Sequence, residues 1–256
     1  MKRSLNSLEE NYQKNLYFNI IFVLLIFLLW YVMGVFINSE LILPLPYEVI
    51  KTSINLLKKL SFWQNLFLTI LRAIIGLSLS LLSSLILGLV KNKYFYLALR
   101  NIIDIFQSNP IIIWISLALI WFGFGTKTVI FTVIIMLFPN FYLSIYHAIN
   151  NIPEEYKDLF KIYPVSTKDY YTKFLFPYLK LYILPVFINS LISSFKIVTM
   201  AEFLSANNGI GYMLSYSKTF LNTKEIYAYA LYLFIMSKTE EKILGRFYVN
   251  SKGLEY

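Results

Sequence analysis

Long stretches with little or no charge alternate with short polar segments along the whole chain. A helix that crosses the hydrocarbon core of a bilayer needs about 20 mostly apolar residues. The pattern therefore predicts an all-α, polytopic membrane protein with about six transmembrane helices in one domain, residues 1–256. The predicted spans are residues 16–37, 71–90, 105–126, 128–149, 181–201 and 224–243.

The composition agrees with a membrane protein and narrows the possible chemistry. The chain is 58% hydrophobic and 14% charged, whereas a soluble domain carries about 25% charged residues. It has no cysteine and a single histidine, His147. Disulfides, thiolate catalysis and cysteine-based metal sites are thereby excluded. We expect no metal, no cofactor and no catalytic residue, so the sequence does not predict an enzyme.

The net charge of +9 is unevenly distributed along the chain. If the N-terminus is cytoplasmic, the inner segments hold 15 of the 23 lysines and arginines, and the outer segments hold six. Because basic residues concentrate in cytoplasmic loops, this bias favours both termini in the cytoplasm. The positive charge therefore needs no nucleic-acid partner, and the bilayer is the expected surroundings.

The longest predicted cytoplasmic segment, residues 150–180, has the signals of two short helices. Pro153 and the acids after it suit a helix start, and Pro164 ends that helix because proline disfavours helical geometry in the residue before it. Ser166 begins a capping pattern for a second helix, which Pro177 is expected to close.

The first of these helices places four apolar or aromatic side chains along one side, with charges elsewhere. They are Tyr156, Leu159, Phe160 and Tyr163. Such a helix suits an interfacial position on anionic lipid. It suits a docking element for a cytoplasmic protein equally well.

The stretch from Ile152 to Pro185 resembles the cytoplasmic coupling loop, or EAA motif, of the ABC importer permeases. The family pattern is Glu-Ala-Ala, three residues, Gly, and then about a dozen residues to Leu-Pro. The spacing is kept here although several residue types differ. The matching positions are Asp158 for Glu, Leu159 and Phe160 for the two Ala, Pro164 for Gly, and Phe176-Pro177 for Leu-Pro.

Three further blocks resemble the same family, in the same order. They are residues 69–76 (TILRAIIG), 109–125 (NPIIIWISLALIWFGFG) and 201–212 (AEFLSANNGIGY). The last two resemble the branch that imports sulfonate, taurine, nitrate and thiamine precursors. The resemblance covers roughly residues 40–246, and it identifies the chain as a type I importer permease-like protein.

The resemblance implies a mechanism and a set of partners. Two permease copies, expected to be identical, form the solute pathway in the bacterial inner membrane. A cytoplasmic ATPase subunit docks on the coupling loop, and an extracytoplasmic binding protein delivers a small anionic or heterocyclic solute. The sequence contains no G-x-x-x-x-G-K-[ST] phosphate loop, so ATP chemistry belongs to a partner chain.

The resemblance also implies roles for particular residues. Those expected to couple to the ATPase are Pro153, Asp158, Leu159, Phe160, Tyr163, Pro164, Ser166 and Pro177. The candidates for the translocation pathway are Arg72, Pro110, Trp114, Glu202, Asn207 and Asn208. Glu202 is a functional candidate if it lies inside the membrane, and it is simply solvated if the fifth span ends before it.

Two alternative functions stay open on the sequence. A standalone channel or ion-coupled transporter uses intramembrane acids, repeats or a filter, and none is evident here. A degenerate permease that no longer transports is suggested by the departures from the coupling motif. Pro164 fixes φ where the family has flexible Gly, and two bulky residues replace the Ala pair.

Overall fold

The computed structural model describes the backbone of residues 2–90, 92–163 and 165–252, and side chains within 18–242 except 19, 20, 91, 164 and 241. Most of the described residues are helical, with no strand among them. The helices are α1 (Lys2–Ile37), α2 (Pro46–Leu57), α3 (Leu60–Gly88), α4 (Lys93–Ser108), α5 (Ile111–Phe122), α6 (Thr126–Asn150), α7 (Glu154–Ile162), α8 (Thr167–Asp169), α9 (Phe176–Ser205), α10 (Ile210–Thr219) and α11 (Thr223–Lys252).

Several helices are long and apolar enough to cross a membrane. Among the described residues, three continuous stretches qualify by length and composition: Leu60–Gly88, Thr126–Asn150 and Thr167–Ser205. The number rises to four if α4 and α5 count as one broken span, and Ile21–Ile37 is a shorter apolar helix. The predicted all-α, polytopic architecture is confirmed, while the bounds of the first and sixth spans stay predictions.

The predicted third span, residues 105–126, is not one continuous helix. Helix α4 ends at Ser108, α5 begins at Ile111, and the two axes differ by 105°. Pro110 cannot donate a backbone hydrogen bond and keeps Asn109 extended, at φ −96° and ψ 140°. The Asn109 amide then donates to the carbonyl of Ile105 at 2.8 Å, which closes α4.

The fold divides into two compact units, and the smaller one contains residues 1–59 and 216–231. Within it, the Trp30 indole donates to the carbonyl of Pro44 at 3.0 Å and stacks on Tyr227. Lys224 forms ion pairs with Glu40 at 2.6 Å and Glu48 at 3.0 Å. These contacts hold α1, α2 and the start of α11 together.

The larger unit, residues 60–215 and 232–256, is built on α3, α6 and α9. Helices α3 and α6 run in the same direction and lie close, because a Cβ on Gly76 would come within 2.6 Å of Val133 and one on Gly88 within 2.7 Å of Ile145. Small residues allow such approach between membrane helices. Helix α9 runs the opposite way, since Ser205 at its end contacts Gly125 at the start of α6.

Helix α9 begins earlier than the sequence pattern predicts, and the expectation that Pro177 closes a short helix is wrong. The chain is helical from Thr167 to Ser205 without a break, so the predicted span 181–201 is part of a longer helix. A π-helical turn at residues 170–175 directly precedes Pro177. Its wider spacing accommodates a residue that has no N–H and whose ring collides with the carbonyl four residues before it.

Candidate functional site

Helix α7, in the segment that resembles the family's coupling loop, packs through aromatic side chains against the helical segment that follows it. The ring of Phe160 lies 4.8 Å from that of Phe174 and 5.3 Å from that of Tyr170. Tyr156 packs on Phe174 as well, at 5.2 Å. Aromatic pairs at these separations are favourable. One side of α7 is therefore used to hold the loop in place.

The other side of α7 is exposed and apolar. We call it the α7 face, and it consists of Leu159 and Ile162 on the helix together with Tyr163 and Val165, which follow its end. Ile162 is 70% exposed and Tyr163 is 67% exposed, so both are available to another molecule. Of the residues expected to contact the ATPase, Phe160 is half-buried against Phe174, while Leu159 and Tyr163 are exposed.

The ends and charges of the loop follow the sequence signals in part. Pro153 immediately precedes α7, Tyr163 leaves the helix at φ −116° and ψ 86°, and the Ser166 hydroxyl accepts the N–H of Asp169 at 3.1 Å. Asp158 pairs with Lys161 at 2.8 Å on the exposed surface, and its hydrogen bond raises the pKa of Lys161. Pro164, the proline at the Gly position of the motif, lies outside the described residues.

A buried ion pair lies at the opposite end of the α3–α6–α9 core. Arg72 on α3 donates to Glu202 on α9 at 2.7 Å, and their side chains are 2% and 0% exposed. The guanidinium also donates to the Thr126 hydroxyl and to both the backbone and the side-chain oxygen of Asn208. A planar fork of donors is needed to reach these acceptors together.

The remaining partners of this network come from α3 and from the start of α10. The Glu202 carboxylate accepts from the Thr69 hydroxyl at 2.8 Å and from the N–H of Gly211 at 3.0 Å. Thr69 also accepts the N–H of Ile210 at 2.9 Å, and Asn65 accepts that of Gly209 at 2.6 Å. The free N–H groups at a helix start are thereby satisfied by α3 and α9.

Gly209 and Gly211 are required by this packing as well as by the turn. Gly209 has φ +104°, which side-chain-bearing residues rarely adopt, and a Cβ there would overlap the Glu202 carboxylate. A Cβ on Gly211 would overlap the carbonyl of Thr199. Both glycines allow the segment after α9 to close over the buried carboxylate.

The structure separates the predicted pathway residues into two groups. It joins Arg72, Glu202 and Asn208 in one hydrogen-bonded network, in which Arg72 and Glu202 are buried and Asn208 is exposed, so Glu202 is not solvated. Pro110 is exposed at the break between α4 and α5, Asn207 is exposed beside the network, and Trp114 is buried edge-on against Phe106.

The sequence patterns assigned no role to three members of the network, although Thr69 begins the block of residues 69–76. They are Asn65, Thr69 and Thr126. For Thr69 a signal exists, since it precedes Arg72 by three residues and so shares its helix face. For Asn65 and Thr126 no local pattern points to the partner.

The structure combines a core of apolar helices with a short helix, α7, that has exposed apolar side chains, and family comparison assigns this chain to the transporter permeases. The family model described as "Binding-protein-dependent transport system inner membrane component" matches residues 80–237. The chain belongs to this family, and it is a multi-pass inner-membrane permease component of ABC transport. The branch predicted from the sequence blocks is confirmed by the relatives.

Two curated relatives illustrate the similarity. The "Formylaminopyrimidine transport permease protein ThiX" of Halalkalibacterium halodurans is 23% identical over 83% of this chain and 82% of its own length. The "Putative aliphatic sulfonates transport permease protein SsuC" of Escherichia coli is 29% identical over 72% of this chain and 71% of its own length.

A solved structure resembles the chain as well. It is that of the MetNI methionine ABC transporter in inward-facing conformations, with a TM-score of 0.51 and 17% identity, covering 81% of this chain and 98% of the matched chain. The likeness confirms the importer-permease fold predicted from the sequence.

Proposed function

We propose that two copies of this chain form the solute pathway of an importer, and that a separate ATPase drives it by docking on the α7 face. A substrate-binding protein delivers the solute from outside. The chain itself contributes no catalytic group. Both termini and α7 lie in the cytoplasm, and the Arg72–Glu202 network lies at the extracytoplasmic end.

The observation that carries this proposal is the exposed apolar α7 face on an otherwise charged helix. Apolar side chains that are exposed together mark an interaction surface. Helix α7 also carries three acids and two lysines: Glu154, Glu155, Asp158, Lys157 and Lys161. Anionic lipid attracts helices rich in lysine and arginine, so this acidic balance favours a protein partner over the membrane surface.

The packing of α7 also supports a working permease over a degenerate one. The two bulky residues at the Ala positions point in different directions: Phe160 packs against Phe174, and Leu159 is exposed. Neither disrupts α7. The motif therefore departs from the family in residue type while it keeps a formed helix with an exposed apolar face.

The solute that we propose is a small anion or heterocycle. The names of the relatives refer to formylaminopyrimidine and aliphatic sulfonates. The chain shares their fold and motif order, and both relatives match more than two thirds of it. A solute that carries several hydrogen-bond acceptors is common to these types.

Affinity purification of the tagged protein from its native membrane, in mild detergent, tests the docking proposal. We expect wild type to bring down an ATPase with a phosphate loop. A Leu159→Asp/Ile162→Asp variant should lose it, because a charged residue at the centre of a docking surface costs on the order of 2 kcal/mol or more, about 30-fold in affinity.

The matched control is Tyr94→Asp. Tyr94 is also an exposed aromatic, at the start of α4, but it lies outside the α7 face. It should retain the ATPase. The proposal would be refuted if the wild-type permease were purified intact without any ATPase. It would also be refuted if Tyr94→Asp lost the ATPase as completely as the α7 variant does.

A further inference from the structure

We propose that a polar cavity between α6 and α9 is a solute-contact site inside the membrane. This inference rests on the proposed transport function and extends it. The cavity has a volume of about 280 Å³. It is lined by Asn140, Leu143, Val186, Asn189, Ser190 and Ser193.

The depth of the cavity follows from helix geometry. Asn140 is 14 residues from the start of α6, and Asn189 is 16 residues before the end of α9. At 1.5 Å per residue, these side chains lie about 21 and 24 Å from the end of the core that holds the Arg72–Glu202 network. The hydrocarbon core is about 30 Å thick, so both amides lie inside it.

Amide side chains exposed at this depth need polar surroundings. Asn140 and Asn189 are both exposed on the surface of the larger unit. Burying an amide in hydrocarbon without a hydrogen-bond partner costs several kcal/mol, about 4 or more against an alkane. Polar residues within spans accordingly face a water-filled path or another helix.

The broken helix beside the cavity is the second, independent observation. Gln107 at the end of α4 approaches the Asn140 amide at 3.5 Å, so the break at residues 109–110 lies at the same depth. Gln107, Ser108 and Pro110 are exposed. Non-helical backbone at membrane depth occurs only where it is buried in protein or lines a water-filled cavity. No part of the described chain buries this break, and a water-filled path beside it accounts for its exposure.

The lining defines the chemistry of the solute. The polar groups are neutral amides and hydroxyls, with no lysine, arginine, aspartate or glutamate among the lining residues. Asparagine and serine can each donate and accept. They suit a small solute with several acceptor oxygens or ring nitrogens, held by hydrogen bonds. Weak neutral contacts also allow release, which a transport pathway requires.

Single cysteine substitutions test whether water reaches this cavity. The natural chain has no cysteine, so Asn140→Cys, Asn189→Cys and Ser193→Cys each introduce a unique thiol. The variants are expressed with their ATPase, in membrane vesicles. A charged, membrane-impermeant methanethiosulfonate is added with and without ATP and vanadate, and labelling of the permease is measured. Binding-protein-stimulated ATPase activity is recorded in the same vesicles.

The matched control is Ile86→Cys. The Ser84 hydroxyl contacts the carbonyl of Phe138, so Ile86 lies near the level of Asn140, and it is 69% exposed on an apolar surface. Lipid raises the pKa of a thiol, and each unit lowers the reactive thiolate about tenfold. We expect the three cavity variants to be labelled at least about tenfold faster than the control.

The two readouts separate the possible failures. If the cavity variants stay unlabelled in both nucleotide states while stimulated ATPase activity is retained, the cavity inference is overturned and the transport function stands. The cavity inference is also overturned if Asn140→Cys crosslinks to a second copy of the chain and is not labelled, because the cavity is then filled by an interface between the two copies. If the unsubstituted protein shows no binding-protein-stimulated ATPase activity, the transport function is contradicted. The labelling rates still decide whether the cavity holds water.

Discussion

Replacing Arg72 by methionine should strongly destabilise the isolated permease. Methionine fills a similar volume but leaves the Glu202 carboxylate buried with only Thr69 and the Gly211 N–H as donors. The same change removes the hydrogen bonds that tie Asn208 to α3. Glu202→Gln should act in the same direction, because it leaves the guanidinium charge without a counter-charge.

The expected magnitude follows from burial. Removing one partner of a buried ion pair costs about 3–5 kcal/mol, since the other charge stays desolvated. For a chain of this size 1 kcal/mol corresponds to about 2–4 °C in Tm, so each single variant should lose about 6–20 °C. In the double variant Arg72→Met/Glu202→Leu no charge remains buried. Its loss should therefore fall below the sum of the single losses by about 0.5–3 kcal/mol.

The detergent-solubilised permease is heated to a series of temperatures and then run on a size-exclusion column with fluorescence detection. The quantity measured is the temperature at which half of the monodisperse peak is lost. Lys173→Met is the matched control, because Lys173 pairs with Asp169 at 2.9 Å on an exposed surface. That pair should contribute no measurable stability. The reasoning is refuted if Arg72→Met behaves like Lys173→Met, or if the double variant loses the full sum of the single variants.

Two further outcomes are expected. Gly209→Ala should lower the midpoint of thermal unfolding more than Gly123→Ala. Both glycines have positive φ, but a Cβ on Gly209 would meet the Glu202 carboxylate, whereas a Cβ on Gly123 would meet open space. Equal shifts in the two variants would contradict the packing role of Gly209. The hydrogen bond from Lys224 lowers the pKa of Glu48 below its usual 4.5, so its stabilisation is present above pH 4.5 and is lost as pH falls through the lowered value. Glu48→Gln should thus be less stable than wild type at pH 7, and the difference should shrink as the pH falls below 4.5. A difference that stays constant as the pH is lowered would contradict the assignment.

Local sequence signals accounted for features whose cause is also local. The proline after Tyr163 predicts that this residue leaves the helix, and the Ser166 cap is visible from residue type and spacing. Apolar stretches likewise predict α6, since its length is set by hydrophobicity. These outcomes depend on a few neighbouring residues, which the sequence displays directly.

Other features depend on partners far along the chain. Arg72 and Glu202 are separated by 130 positions, and nothing near either residue indicates which partner neutralises it. The inward orientation of Phe160 is decided by Phe174, a residue beyond the end of α7. Pro177 failed as a helix end because the π-helical turn before it absorbed the constraint, and no propensity predicts that turn.

The most direct test of the importer assignment is solute uptake into proteoliposomes that contain the permease and its co-purified ATPase, with ATP inside and the binding protein outside. Labelled taurine, nitrate and formylaminopyrimidine serve as probes. We expect at least one of them to accumulate above its external concentration only when ATP and binding protein are both present. Equilibration without ATP, or uptake driven by an ion gradient alone, would contradict an importer and favour a channel or an ion-coupled transporter.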